Sequence, residues 1–225
     1  MPAGFRVLKR RRRVDAAAVE KFRALPVANI SDSMFRMSAG GARLRPYHAG
    51  GAMAGPALTV RTAPGDNLMV HMALNLAEEG DVIVVDAGGE LTNAIIGERM
   101  LAYCQAKRFA GIVINGAVRD VGYIRSHPFP VYAAGVTHRG PYKNGPGEIN
   151  VPIALDGMVI APGDLVLGDE DGLLCVSYDD VEAVYKAAHE KHEMETRTFK
   201  DIGKGDNNRV QYEKTLRGLG CEFEA

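Results

Sequence analysis

Two short runs constrain what this chain can fold into: Asp81-Val82-Ile83-Val84-Val85-Asp86 and Ala110-Gly111-Ile112-Val113-Ile114-Asn115. In each the apolar residues are continuous, and most are β-branched. A strand with one face in water would alternate apolar and polar residues. These runs therefore read as strands buried on both faces, the pattern of a parallel sheet covered by other layers. Between them lie Ala87-Gly88-Gly89, which reads as a short loop, and a stretch from about Asn93 to Arg108, which reads as a helix. Strand, glycine loop, helix, strand is a βαβ unit.

The flanking sequence extends the pattern. Residues 14–25 are Ala-rich with helical composition, and Pro26 ends them. Asn29, Ser31, Asp32 and Ser33 offer N-caps to a short second helix through Met37, closed by Gly40-Gly41. Pro56–Thr62 reads as the first strand, and residues 67–78 as a helix stopped by Gly80. Beyond residue 128 the texture changes. A strand at Pro130–Ala134 is followed by a loop over 137–150. Short strands are then expected near Val151–Ala154, Gly157–Ile160, Asp164–Leu167 and Leu173–Ser177, separated by Asp-Gly and Pro-Gly turns. A long helix runs from Asp179 to about Lys200, with Val181, Val184, Tyr185 and Ala188 on one face. The fold class is α/β, with a mixed central sheet, short N-terminal helices and a C-terminal helix. The chain divides into an N-terminal arm and helix (1–26), one domain (27–200) and a loosely held tail (201–225).

Charge and composition narrow the function. Lys and Arg number 27 against 28 Asp and Glu, a net charge of −1, so no global field selects nucleic acid or an anionic membrane. No apolar run approaches the roughly 20 residues a membrane helix requires. Cys104, Cys175 and Cys221 are widely spaced, without a CxxC pair, and no secretory signal precedes them. A reduced, cytoplasmic setting is expected. The run Lys9-Arg10-Arg11-Arg12-Arg13 is expected to be a solvated arm, because no aromatic residues interleave it as in single-strand binders.

Chemistry in open α/β sheets gathers beyond the carboxyl ends of the strands. The loop after the first buried strand leads through Gly88-Gly89-Glu90 to Gly97-Glu98-Arg99-Met100. The loop after the second reads Asn115-Gly116-Ala117-Val118-Arg119-Asp120-Val121-Gly122. Parallel neighbours would bring the two together. An Arg-Asp pair there joins a carboxylate clamp to a hard oxygen ligand, which is what an α-keto acid and a divalent metal require. Taken singly the residues are bland: an Arg-Asp dipeptide is commonly a surface pair, and a Glu near a helix start is favoured by the dipole. Their convergence on one sheet edge is the signal. No GxGxxG, phosphate loop, HExxH or GxSxG is present, and Cys104 falls inside a helix. Lys107, at a helix end, remains open as an amine nucleophile.

The segments GDVIVVDAGGELTNAIIGE (80–98), AGIVINGAVRD (110–120), FPVYAAGVTHRGPYKNGPGEINVPI (129–153) and PGDLVLGDEDGLLCV (162–176) resemble the 4-hydroxy-4-methyl-2-oxoglutarate/4-carboxy-4-hydroxy-2-oxoadipate aldolases, relatives of the regulator of ribonuclease activity A. The resemblance spans residues 27 to 200. It implies an α/β/β sandwich of the swivelling-domain type, assembled as a homotrimer or homohexamer. It also implies a metal-dependent pyruvate aldolase acting on a small hydroxy-keto acid, with oxaloacetate decarboxylation as a side activity. The family motif is an acidic residue, twenty residues, then Arg-Asp, matched here by Glu98 and Arg119-Asp120. The family's first position is often Asp, and Glu98 reaches one methylene further. By the resemblance, Asp120 ligates Mg²⁺ or Mn²⁺ and Arg119 holds the keto acid and its enolate. Backbone amides of Gly97, Glu98, Arg99 and Met100 receive the pyruvate carboxylate. Glu195, or failing it Glu193, reaches a neighbouring subunit's site. Arg99, Arg139 and Lys143 are candidates for more distant carboxylates, the plainer reading of each being surface charge. Regulator-type relatives lack the Asp after the Arg, so Asp120 argues for the enzyme; the alternatives are the non-catalytic ribonuclease regulator, and an oxaloacetate decarboxylase or an aldolase for another hydroxy-keto acid.

Overall fold

The structure is a computed structural model that describes residues 4–224 except 38, 39, 41, 204 and 206–208. The two β-branched runs form β4 (Val82–Asp86) and β6 (Gly111–Val118), paired in parallel from Val82↔Gly111 to Asp86↔Asn115. On one side of them lies β3 (Met53–Thr62), then β8 (Gly147–Ile149) and β1 (Phe5–Val7). On the other lie β7 (Val131–Val136) and β2 (Arg45–Pro46). The resulting order is β1-β8-β3-β4-β6-β7-β2, and β5 (Ala94–Ile96) pairs with the far end of β6.

The long strand β3 joins two layers. Its second half runs parallel to β4, whereas Met53–Pro56 pairs antiparallel with β11 (Leu165–Gly168), which in turn pairs with β12 (Leu173–Val176). Gly55 sits where the chain passes from one layer to the other; a Cβ there would lie 2.3 Å from the Gly80 carbonyl oxygen. The hairpin β9 (Ile153–Leu155) and β10 (Met158–Ile160) completes the second β layer.

Three apolar clusters follow from this layering. One fills the space between the main sheet and α3 (Leu68–Leu76), α4 (Glu98–Ala106) and α5 (Val121–Arg125). A second lies between the two β layers, where Val84, Val113, Val166 and Ile153 meet. The third packs α1 (Ala16–Arg23), α2 (Val27–Ser33) and α6 (Val181–Ile202) on β11 and β12. The architecture is the expected α/β/β arrangement with a mixed sheet and a C-terminal helix. Among the described residues no helix is long and apolar enough to cross a membrane.

Several local expectations change. The stretch Asn93–Arg108 is not one helix. Residues 94–96 are β5, Gly97 is extended (φ −156°, ψ −170°), and only then does α4 begin. The Asn67 side-chain amide donates to the Ile95 carbonyl at 2.8 Å and the Asn93 amide to the Gly140 carbonyl at 2.5 Å, holding the segment extended. The loop over 137–150 contains β8, whose buried Glu148 pairs with Arg6 at 2.7 Å and Arg61 at 3.0 Å. The second helix starts at Val27 after Pro26 and ends at Ser33, where Phe35 and Arg36 turn left-handed; Gly41 of its expected closing pair lies outside the described residues. The tail carries a helix, α7 (Arg209–Gly218), whose side chains from Gln211 onward are exposed; residues 204 and 206–208 before it lie outside the described residues.

The largest correction concerns the basic run. Arg10 donates two hydrogen bonds to Asp81, at 2.8 and 3.0 Å, and Asp81 also takes the Glu78 amide at 2.9 Å. The Asp81 side chain is fully buried and that of Arg10 is 10% exposed. Arg12 bonds Asp179 at 2.8 Å, and Arg13 bonds Glu78. The arm is therefore strapped across the layers, because Asp81 begins the central strand and needs a buried counter-charge. Removing one partner of a buried ion pair costs about 3–5 kcal/mol, whereas an exposed substitution costs within about 0.5 kcal/mol. Arg10→Ala is expected to lower the unfolding free energy by about 3 kcal/mol in urea titration, and Arg11→Ala to leave it nearly unchanged. Equal small effects would show that the strap carries no stability.

Candidate active site

The site forms where β5, β6 and the start of α4 meet. The Arg119 amide donates to the Ile96 carbonyl at 3.0 Å, tying the end of β6 to the end of β5. Asp120 follows in a left-handed conformation (φ 58°, ψ 40°), strained for any residue but glycine and tolerated best by Asp and Asn. Strain of this kind persists only when neighbours over-determine it. Here the Glu98 amide donates to Asp120 Oδ2 at 2.9 Å, and Arg119 Nε lies 3.8 Å from the same oxygen.

Gly97 makes this close approach possible. A Cβ on it would stand 2.3 Å from Asp120 Oδ2 and 2.9 Å from Arg119 Cγ. The twenty-residue spacing between Glu98 and Arg119 is thus the length of chain that leaves this corner along α4 and returns along β6.

Gly97, Glu98, Arg99, Met100, Arg119 and Asp120 line one cleft of about 540 Å³. Its remaining walls come from α3 and its N-cap, from further along α4, and from the segment around residues 141–143, contributing His71, Asn67, Tyr103 and Lys143 among others. Asp66 shapes that segment: its carboxylate accepts the Leu68 amide at 2.8 Å and those of Asn144 and Gly145 at 2.5 and 3.0 Å. Of the four amides expected to face a carboxylate, Glu98 donates to Asp120 and Met100 to the Gly97 carbonyl at 3.1 Å. The Arg99 amide, in the first turn of α4, has no intrahelical acceptor.

Other sequence candidates separate clearly. Arg139 does not line the cleft; its carbonyl accepts the Ala94 amide at 2.8 Å. Glu195 lies on α6 outside the cleft, between Lys191 Nζ at 2.9 Å and the Asn29 amide at 2.6 Å. The Lys191 and Asn29 hydrogen bonds hold its carboxyl below the usual range. Burial pushes the Cys104 thiol up to about 12, so it is no nucleophile at neutral pH. Lys107 stacks over Tyr103 at the C-terminal end of α4, 5.7 Å from the ring centroid, and does not line the cleft.

Sequence reasoning missed Asn67 and His71. Their only signal is a place on α3 or at its N-cap, and only the folded chain sets α3 beside α4 and the 141–143 segment.

The match to a family profile settles the lineage: residues 27–175 fit the RraA-like family described as Aldolase/RraA. The chain belongs to that family. It is 38% identical over 173 residues, 77% of this chain and 82% of the relative, to a protein of Halalkalibacterium halodurans that provisionally carries the name 4-hydroxy-4-methyl-2-oxoglutarate aldolase. A Thermus thermophilus 4-hydroxy-4-methyl-2-oxoglutarate aldolase is 38% identical over 109 residues, 48% of this chain and 66% of its own length. Among solved structures, the RNA-processing inhibitor RraA from Thermus superposes with a TM-score of 0.62 at 32% identity, covering 67% of this chain and 92% of the other. Aldolase/RraA relatives thus carry both an enzyme's name and a regulator's.

The cleft's electrostatics give a test in this family member. Burial lowers the His71 pKa, and the charges of Lys143 and Arg99 lower it further. An unfolded chain then binds this proton more tightly than the folded one. Any stability linked to His71 is complete above about pH 6.5 and is lost as pH falls through the lower folded value. In ¹H NMR the His71 midpoint is expected below about 6.5, and Lys143→Met is expected to raise it. A midpoint unmoved by that substitution would place Lys143 away from the imidazole.

Proposed function

We propose that this chain is a divalent-metal-dependent pyruvate aldolase. It would cleave 4-hydroxy-4-methyl-2-oxoglutarate or 4-carboxy-4-hydroxy-2-oxoadipate to pyruvate and a second keto acid, and act in the cytoplasm as a trimer or hexamer. The observation that carries the reading is Asp120, held in a left-handed turn by the Glu98 amide with Arg119 beside it, at the mouth of a cleft roomy enough for the substrate.

The residues fit a hard cation. Asp120 Oδ2 is anchored, Oδ1 remains to bind, and the missing side chain of Gly97 keeps the approach open. Among the described residues no cluster of three or more His, Cys, Asp or Glu surrounds it. One or two carboxylates, completed by water and substrate oxygens, is the ordinary way Mg²⁺ is held. Asp120 would hold the ion, Mg²⁺ or Mn²⁺, with Glu98 close by. When bound, such an ion supplies Lewis-acid polarisation of the keto oxygen.

The chain's own groups do the rest. The Arg99 and Gly97 amides at the start of α4 orient the pyruvate carboxylate, where the helix dipole favours an anion. Arg119 presents its fork of donors to the keto acid and to the oxygen on which enolate charge develops. A base removes the C4 hydroxyl proton: a water activated by Glu98, or Glu195 contributed by a neighbouring copy. The C3–C4 bond breaks, its electron pair passes to the pyruvate fragment, the C4 oxygen becomes a carbonyl, and a proton at C3 completes pyruvate. Oxaloacetate loses carbon dioxide through the same enolate.

The second reading, a non-catalytic regulator, draws on the inhibitor name of the Thermus structure. Pyruvate release from 4-hydroxy-4-methyl-2-oxoglutarate and from oxaloacetate, with Mg²⁺ or EDTA, distinguishes the two. Wild type is expected to be metal-dependent, and Asp120→Ala to lose at least roughly a hundredfold in kcat/KM. Release from oxaloacetate alone would move the substrate; release from neither would leave the regulator.

A further inference from the structure

From Arg6 to Arg11 exposure alternates along the chain: Arg6, Leu8 and Arg10 are partly buried, and Val7, Lys9 and Arg11 are exposed. That period marks an edge strand with one face packed on the molecule, continuing β1 beyond Val7. Leu8 donates its amide to the Ile149 carbonyl at 3.1 Å, so the amides on either side of it turn outward. Among the described residues the Lys9 and Arg11 amides find no acceptor, and their side chains meet no carboxylate. Arg10, Arg12 and Arg13 are held by Asp81, Asp179 and Glu78, which fixes the backbone between them. A groove of about 790 Å³ lies beside this edge, lined by residues 7–12 and by Asn150, Ala161 and Pro162.

The tail after α7 has the complementary chemistry. Residues 221–224, Cys-Glu-Phe-Glu, are exposed and form neither helix nor strand. Among the described residues Glu222 and Glu224 make no ion pair. The Phe223 ring is 40% exposed and meets the guanidinium of Arg217 in the same tail, 4.2 Å from the ring centroid. Glu222 and Glu224 are two residues apart, as are Lys9 and Arg11. In an extended chain each pair therefore falls on one face at a spacing of about 7 Å.

We propose that residues 221–224 of a second copy add as a short strand along the exposed edge of the arm, with Glu222 and Glu224 on Lys9 and Arg11 and with Phe223 in the groove against Leu8, Ala161 and Pro162. Strand addition gives the free amides of the arm their acceptors, and the alternating side chains select the partner. Two carboxylates on two cations fix the register, and the ring fills the apolar part of the groove. The occupant comes from another copy because of where α6 leads. It begins just after Asp179, which bonds Arg12, and its 22 residues carry the chain roughly 33 Å from the arm. This contact is remote from the cleft and does not rest on the aldolase reading.

Two charge-reversed full-length variants test the contact by sedimentation velocity, with a thiol reductant present so that Cys221 cannot link copies. One carries Lys9→Glu and Arg11→Glu, the other Glu222→Lys and Glu224→Lys. Each meets like charge in its own kind, whereas the arm of each complements the tail of the other. Wild type is expected to associate in a step that weakens as salt is raised. Either variant alone should lose roughly tenfold or more of that affinity, and an equimolar mixture of the two should regain it. Phe223→Ala is expected to weaken the wild-type step roughly tenfold. Recovery in the mixture is an outcome that neither misfolding nor a tail bound within its own chain can produce. Association in both variants equal to wild type, or a mixture no stronger than its parts, would overturn the proposal.

Discussion

Everything in this molecule that concerns chemistry depends on the parallel pairing of β4 with β6, buried on both faces. Val82 to Val85 and Ile112 to Ile114 have no solvent exposure. Burial on both faces demands a layer on each side: α3, α4 and α5 on one, the β9–β12 layer on the other. Parallel pairing demands that the chain return across the sheet between the strands, so the loops after β4 and β6 open on one edge. At that edge the apolar run stops in both strands at once, and Asn115 donates to Asp86 at 3.0 Å. The polar residues that follow are the first in either strand free to do something other than pack.

The same constraint explains which parts of the site could be read from the chain. Arg119-Asp120 sit just past the end of β6, a strand that its β-branched run announces, and Glu98 opens α4, a helix expected from the sequence although its start is not. Gly97 enters the sequence reading only as one of four backbone amides implied by the resemblance; the reason a glycine stands there, the 2.3 Å approach to the Asp120 carboxylate, is a tertiary fact. His71 lies on a helix expected from the sequence and Asn67 caps its start, and nothing in a helical pattern says that these two polar residues will line a cleft. The sequence places β5 inside a helix because Ala-Ile-Ile has no turn signal; β6 captures it as a strand, and this long-range pairing outweighs local propensity. β8 is hidden in a segment rich in glycine and proline for the same reason, since its pairing with β3 on one side and β1 on the other makes it a strand.

The basic arm shows the limit of composition. Five consecutive cations next to a neutral overall charge suggest a solvated tail, and the helix that follows supports that reading. Asp81 decides otherwise. A carboxylate just before the buried strand β4 has no access to water, so a reachable guanidinium is drawn in, and Arg10 satisfies both its oxygens. Arg12 and Arg13 then fall on Asp179 and Glu78. Arg10, Arg12 and Arg13 of the arm, with Arg6 and Arg61, are each matched by a carboxylate, and they hold layers together.

The departure of Glu98 from the family's usual Asp can be weighed in the same terms. Asp120 is positioned by the Glu98 amide and by its own backbone turn, and neither depends on the side chain at position 98. The extra methylene consequently leaves the anchored carboxylate where it is and alters only the reach of a second, exposed one. In the proposed mechanism that second carboxylate handles a proton and stays outside the clamp on the keto acid. A change in its length would alter which water it orders, while the Arg119–Asp120 corner, built from strand ends and a missing side chain, is preserved.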